Sequence, residues 1–201
     1  MLDYVIQDFE RARIAFNDNS IGGMVVCDSS EQAKMMYEIF QDKYAEKTIS
    51  EDLLLAAEPS ESYGDKKKNE SKVKTVAVIL HDIGTKDDRK NQVDEFKDGK
   101  IDLLFVYNML LTGFDAPRLK KLYVGRVIKA HNLLQTLTRV NRTYKEFKYG
   151  YVVDFADIQR EFDKTNQDYF RELQAELGDE MEHYSNLFKT PEEIKQEIQE
   201  I

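Results

Sequence analysis

At 201 residues, with 41% hydrophobic and 11% aromatic content, the chain is long enough for one well-buried domain plus an appendage. No apolar run approaches the length of a membrane span, and the start Met1-Leu2-Asp3-Tyr4 lacks a signal-peptide core. A single cysteine, Cys27, leaves no disulfide framework and no zinc ligand set, so a cytoplasmic protein with no membrane partner is expected. The net charge of −9 speaks against a polyanionic partner only as an average. Gly113 to Gly150 hold nine Lys/Arg against two Asp/Glu, whereas Tyr151 to Ile201 hold five against fourteen. Local fields govern where a polyanion docks, so a phosphate-binding strip in the middle segment is compatible with the acidic total.

The elements follow in chain order. Asp3–Asn17 carries Val5, Ile6, Phe9, Ala12, Ile14 and Phe16 at a rough helical period, ended by Asn17–Ser20 and Gly22-Gly23. Met24–Cys27 is a short continuous apolar run, the pattern of a strand buried on both faces. The Asp28-Ser29-Ser30 cap cluster opens a helix over Glu31–Tyr44. Further strands are predicted at Thr75–Leu80, Ile101–Tyr107, Lys121–Arg126 and Tyr149–Phe155, with helices at Lys86–Asp98 and His131–Arg142. Short apolar strands alternating with helices predict an α/β domain with a mostly parallel sheet covered on both sides. The polar stretch at about 48–73 reads as an excursion from this alternation. Residues 158–201 read as an acidic helical extension, with Phe162, Tyr169, Phe170, Leu173 and Leu177 at helical spacing and a last helix from Pro191.

Chemistry concentrates in two stretches. Gln135-Thr136-Leu137-Thr138-Arg139-Val140-Asn141-Arg142 places two arginines three residues apart on what reads as one helix. Residues three apart share a helical face, so Arg139 and Arg142 can present two planar guanidinium forks to one phosphate. The alternative is a solvated basic face. Upstream, Leu111-Thr112-Gly113-Phe114-Asp115-Ala116-Pro117 follows a strand, at the sheet end where open parallel α/β sheets bind ligands. Gly113 allows a positive φ or a close backbone approach, Asp115 suits a ribose hydroxyl, and the Thr112 hydroxyl suits a nucleic-acid phosphate. The alternative is an ordinary turn with an aspartate cap. No carboxylate pair, nucleophile–base set or metal-ligand spacing stands out.

In order and spacing these pieces resemble motifs IV to VI of superfamily 2 helicases. Gly23–Phe40 resembles motif IV, Thr112-Gly113-Phe114-Asp115 motif V, and Gln135…Arg139…Arg142 motif VI. The strings Leu-Thr-Gly-Phe-Asp-Ala-Pro from Leu111 and Arg-Val-Asn-Arg from Arg139 resemble one branch more closely, the motor (R) subunit of type I restriction–modification enzymes. The resemblance covers about residues 20–157. It implies a RecA-like three-layer domain over 1–157, the second motor lobe of an ATP-dependent double-stranded DNA translocase. Arg142 and Arg139 would be the catalytic arginines, Gln135, Gly113 and Asp115 nucleotide contacts, and Thr112 a DNA contact. ATP and Mg²⁺ would be bound mainly by a first RecA-like domain, whose phosphate-cradling Gly-x-x-x-x-Gly-Lys loop does not occur in this sequence. Modification and specificity subunits are implied as further partners, and the chain reads as an excised piece that is inactive alone. Other superfamily 2 motors and a non-catalytic interaction module of the same fold are the rival readings.

Overall fold

The computed structural model describes residues 1–45, 72–111 and 113–177. Helix α1 (Leu2–Phe16) runs into strand β1 (Gly22–Val26) and helix α2 (Ser30–Phe40), which relaxes into a π-helical turn, Gln41–Ala45. Then come β2 (Val76–Ile79), α3 (Lys86–Lys97), β3 (Leu103–Val106), β4 (Leu119–Val124), α4 (Ala130–Val140), β5 (Tyr151–Asp154) and α5 (Gln159–Leu177). Local chemistry sets the helix ends. Asn17 closes α1 in the left-handed region at φ 51°, which asparagine tolerates. The Ser29 side chain accepts from the Gln32 amide at the start of α2, and Thr85 with Asp88 forms a capping box on α3.

All five strands are parallel, in the order β2-β3-β1-β4-β5. Side chains alternate along each strand. Val25, Val76, Val78, Leu103, Phe105 and Tyr123 therefore meet α1 and α2 on one face. Met24, Val26, Ala77, Ile79, Leu104, Val106, Leu122 and Val124 meet Phe96 of α3 and Leu133 of α4 on the other. The result is three layers, with α5 continuing past the sheet and its Phe162 packed against the second cluster. No described helix is long and apolar enough to cross a membrane.

Three sequence expectations change. Gly22-Gly23 does not end α1 but begins β1, because Cβ atoms there would lie 2.6 Å from the Phe96 ring and 2.4 Å from Leu103. Strand β4 starts two residues before Lys121, which draws Lys120 into the sheet. Strand β5, at one edge of the sheet, is largely exposed rather than buried on both faces, whereas β2 at the other edge is buried. The excursion expected at about 48–73, apart from its last two residues, and the helix expected from Pro191 lie outside the described residues.

At the amino ends of the strands, Arg13 and Asp102 form a buried ion pair at 2.5 Å. Removing one member of a buried pair costs about 3–5 kcal/mol, because the remaining charge stays buried without its partner. Asp102→Asn should lower the unfolding free energy by about that amount in urea titrations. A loss under about 1 kcal/mol would mean that the Arg13 cation is adequately held by carbonyls alone. Cys27 is also buried, and burial pushes its thiol up to about 12. It should therefore resist alkylation at pH 8 in the folded protein and react only when urea unfolds the chain.

Candidate functional site

The loop after β3 is folded onto the sheet by alternation. Leu111, Phe114 and Ala116 are buried, while Gly113, Asp115 and Pro117 face outward. Gly113 adopts φ +69°, a left-handed conformation that favours glycine, and the space a Cβ would occupy is open to at least 4 Å. Thr112 lies outside the described residues.

Helix α4 docks on this loop. Leu133, Thr136 and Val140 form its inward stripe, and the Thr136 hydroxyl donates to the Asn132 carbonyl at 2.7 Å and the Leu111 carbonyl at 3.5 Å. Gln135 sits half-buried on α4, one turn ahead of Arg139. Arg139 Nη1 donates to the Phe114 carbonyl at 2.7 Å, leaving its buried Nε without a hydrogen-bond partner. Arg142 Nη1 meets Asp115 Oδ1 at 2.6 Å. The two arginines thus grip consecutive loop residues, one through backbone and one through a carboxylate.

The arginines do not share a helical face. Helix α4 stops at Val140, and Asn141 leaves helical geometry at ψ 50°. The cause lies beneath it. The buried Lys120 ammonium takes the carbonyls of Val140 and Arg142, and Gly150 lies so close that a Cβ there would be 2.5 Å from the Val140 oxygen. Arg142 therefore projects from the segment after the helix, and its convergence with Arg139 comes from the loop they both hold.

The basic strip is also thinner than the charge count implies. Arg118, Lys120 and Lys121 are buried. Arg118 donates to the carbonyls of Ser20, Ile21, Phe96 and Ile101, and Lys121 pairs with Asp8 at 2.7 Å. Lys145 pairs with Asp18. Burial pulls the Lys120 ammonium below the ordinary lysine range. Sequence reasoning missed Lys120, although a charge inside an apolar strand was the available signal.

At the other end of α4, a cleft of about 460 Å³ opens outside the carboxyl ends of β3 and β4, lined in part by Asn108, Leu111, Arg126, Lys129 and Asn132. Arg126 lies over the Tyr107 ring at 4.7 Å and donates to Asn108 Oδ1 at 2.6 Å. The lining includes no carboxylate. Among the described residues no three His, Cys, Asp or Glu side chains gather closely enough to hold a metal.

The sheet is all-parallel and three-layered, and helix α4 is clasped through Arg139 to the loop that follows β3. Residues 58–157 match the family described as type I restriction enzyme subunit R domain 3. It is similar to a type I restriction enzyme endonuclease subunit of Staphylococcus aureus (strain COL), 45% identical over 75 residues, covering 37% of this chain and 8% of that one. It is also similar to the HindI endonuclease subunit of Haemophilus influenzae, 29% identical over 119 residues, covering 56% and 11%. The chain thus spans about a tenth or less of these relatives. Among solved structures, the Pyrococcus furiosus Hef helicase domain aligns with a TM-score of 0.49 at 11% identity, covering 83% of this chain and 28% of that one.

The Arg142–Asp115 pair is exposed, at 42% and 59% of the two side chains. Exposed ion pairs contribute about 0–1 kcal/mol. Asp115→Asn should therefore leave the thermal midpoint of this chain within about 3 °C of the parent. A larger drop would make the pair a structural element rather than an exchangeable contact.

Proposed function

We propose that this chain is the second motor lobe of the R subunit of a type I restriction endonuclease, forming half of an ATP-dependent translocase on double-stranded DNA in the cytoplasm. The observation that carries the reading is the convergence of Arg139 and Arg142 on Phe114 and Asp115 at the carboxyl edge of a parallel sheet. Ligands of open α/β sheets bind at that edge. The residues fit a nucleotide. The donor set is guanidinium, Gly113 leaves room for backbone approach, and Asp115 is an exposed acceptor suited to a ribose hydroxyl.

In this reading ATP and Mg²⁺ are held mainly by the first RecA-like domain of the full-length protein, which supplies the phosphate cradle and the metal. Arg142 exchanges the Asp115 carboxylate for phosphoryl oxygens, a change its exposure permits at little cost. It then offsets negative charge as the terminal phosphoryl group transfers. Arg139 keeps the loop backbone in place through Phe114 and turns the rest of its guanidinium to the same charge. Gln135 positions the phosphate. Gly113 and Asp115 link nucleotide to DNA through the neighbouring Thr112, whose hydroxyl contacts the DNA backbone. The cleft with Arg126 and Lys129 extends that DNA surface on the far side of Leu111. The modification and specificity subunits complete the complex.

Three experiments test this reading. In the full-length subunit assembled with its partners, Arg142→Lys keeps the charge and loses the bidentate fork, so turnover should fall by up to about 10³-fold with a smaller change in KM. Wild-type ATPase rates in both Arg142→Lys and Arg142→Ala would return Arg142 to a solvated surface role. The isolated chain should hydrolyse no ATP, and turnover that Arg142→Ala abolishes would overturn that. On the DNA side, Arg126→Gln with Lys129→Gln should reduce the slope of log K against log salt by about 1–2. An unchanged slope removes the cleft from the DNA surface.

A further inference from the structure

Lys120 is a fully buried lysine in the second half of a domain whose proposed chemistry runs on arginines. It sits in β4 between Leu119 and Lys121, and its ammonium points at the end of α4 rather than at solvent. Its hydrogen-bond acceptors are the backbone carbonyls of Val140, at 3.4 Å, and of Arg142. A cation at a helix carboxyl terminus is favoured by the exposed carbonyls and the helix dipole. Burying an ammonium nevertheless costs several kcal/mol unless its donors are satisfied. A helix cap alone does not need this arrangement, since a solvated lysine or a glycine would serve. What the buried position adds is a fixed anchor below the segment that carries Arg142.

A second contact bounds the same Val140 carbonyl from the neighbouring strand. Gly150, just before β5, lies against Val140, where a Cβ would meet the carbonyl oxygen at 2.5 Å and the Val140 Cβ at 2.8 Å. Lys120 pulls on the carbonyls and Gly150 bounds them. The chain between Val140 and Arg142 is thus held between two neighbouring strands, and the Arg142 side chain leaves from a defined point to reach Asp115 at 2.6 Å.

We infer that Lys120 is a positioning residue for Arg142: by clamping the carbonyls of Val140 and Arg142 it fixes where the arginine leaves the segment after α4 and so aims it at the phosphoryl group. The inference rests on the motor reading above, in which Arg142 acts on the transferring group. A displacement of about 1 Å at such a group can cost about 10²-fold in rate.

The test is a double-mutant cycle on the full-length subunit assembled with its partners. Lys120→Met keeps the stem and removes the ammonium. Turnover at saturating ATP should fall at least about tenfold, with KM for ATP and the salt slope of DNA binding little changed. In an Arg142→Lys background the same substitution should add little, because residues that act as one unit are not additive. A lysine with a purely structural role would lower turnover by the same factor in both backgrounds, and that additivity would overturn the inference. So would an unchanged rate in Lys120→Met. Gly150→Ala crowds the same carbonyl from the neighbouring strand and should show the same non-additive loss; it decides the question if Lys120→Met does not fold, and additive behaviour there overturns the inference equally. If Arg142→Lys and Arg142→Ala leave turnover intact, the motor reading itself fails and the inference falls with it.

Discussion

The interaction on which the rest of the structure depends is the buried Arg13–Asp102 pair and the carbonyls gathered around it. Asp102 accepts from Arg13 at 2.5 Å through one oxygen, and from the amides of Lys74 and Thr75 at 2.8 and 3.1 Å through the other. Arg13 also reaches the Ile21 carbonyl at 3.1 Å. Arg118 binds that carbonyl and the carbonyl of Ile101, next to Asp102. The end of α1 and the approaches to β1, β2, β3 and β4 are thereby tied at one edge of the sheet. A parallel sheet has no hairpins to fix its register, so a shared polar anchor at the strand beginnings does that work. Once those ends are set, the loops at the carboxyl edge emerge at fixed relative positions.

Charge is sorted by burial. The cations that must never move are inside: Arg13, Arg118 and Lys120 are almost wholly shielded. Each finds carbonyls or a carboxylate, because an unpaired buried charge is prohibitive. Arg142 is outside and faces a single exposed carboxylate. A net segment charge therefore says little about how much of it a polyanion can meet. Of the nine basic residues between Gly113 and Gly150, three are consumed by the interior.

This explains what the sequence disclosed and what it withheld. The apolar run at Met24–Cys27 announced the central strand because burial on both faces leaves no alternation to confuse. The capping residues Ser29 and Thr85 announced their helices because a cap is a local device. The loop from Leu111 and the arginines at 139 and 142 were visible as residue types in a spacing. Their division of labour was not, since the end of α4 depends on Lys120 and Gly150, twenty residues before and ten after. Contacts between strands that are neighbours in space and distant in sequence leave no periodic trace. Lys120 read as one more positive charge; only its place in β4 gives it a different role. Strand β4 begins two residues before the expected Lys121 for the same reason, because the lysines interrupt an apolar pattern that burial restores.

Helix α4 joins the two ends of this arrangement. At a rise of about 1.5 Å per residue its span is roughly 16 Å, with the Arg126–Lys129 cleft at one end and Arg142 just past the other. Its core stripe of Leu133, Thr136 and Val140 is locked to the sheet and to the loop between the two ends. A packed helix moves as a body rather than by bending. A shift at the cleft end would therefore be delivered to the arginine end, and the exposed pair with Asp115 is the contact that would give way. A contact worth no more than about 1 kcal/mol sits between anchors worth several times that, so in the proposed reading a ligand would redirect one side chain without disturbing the sheet that holds it.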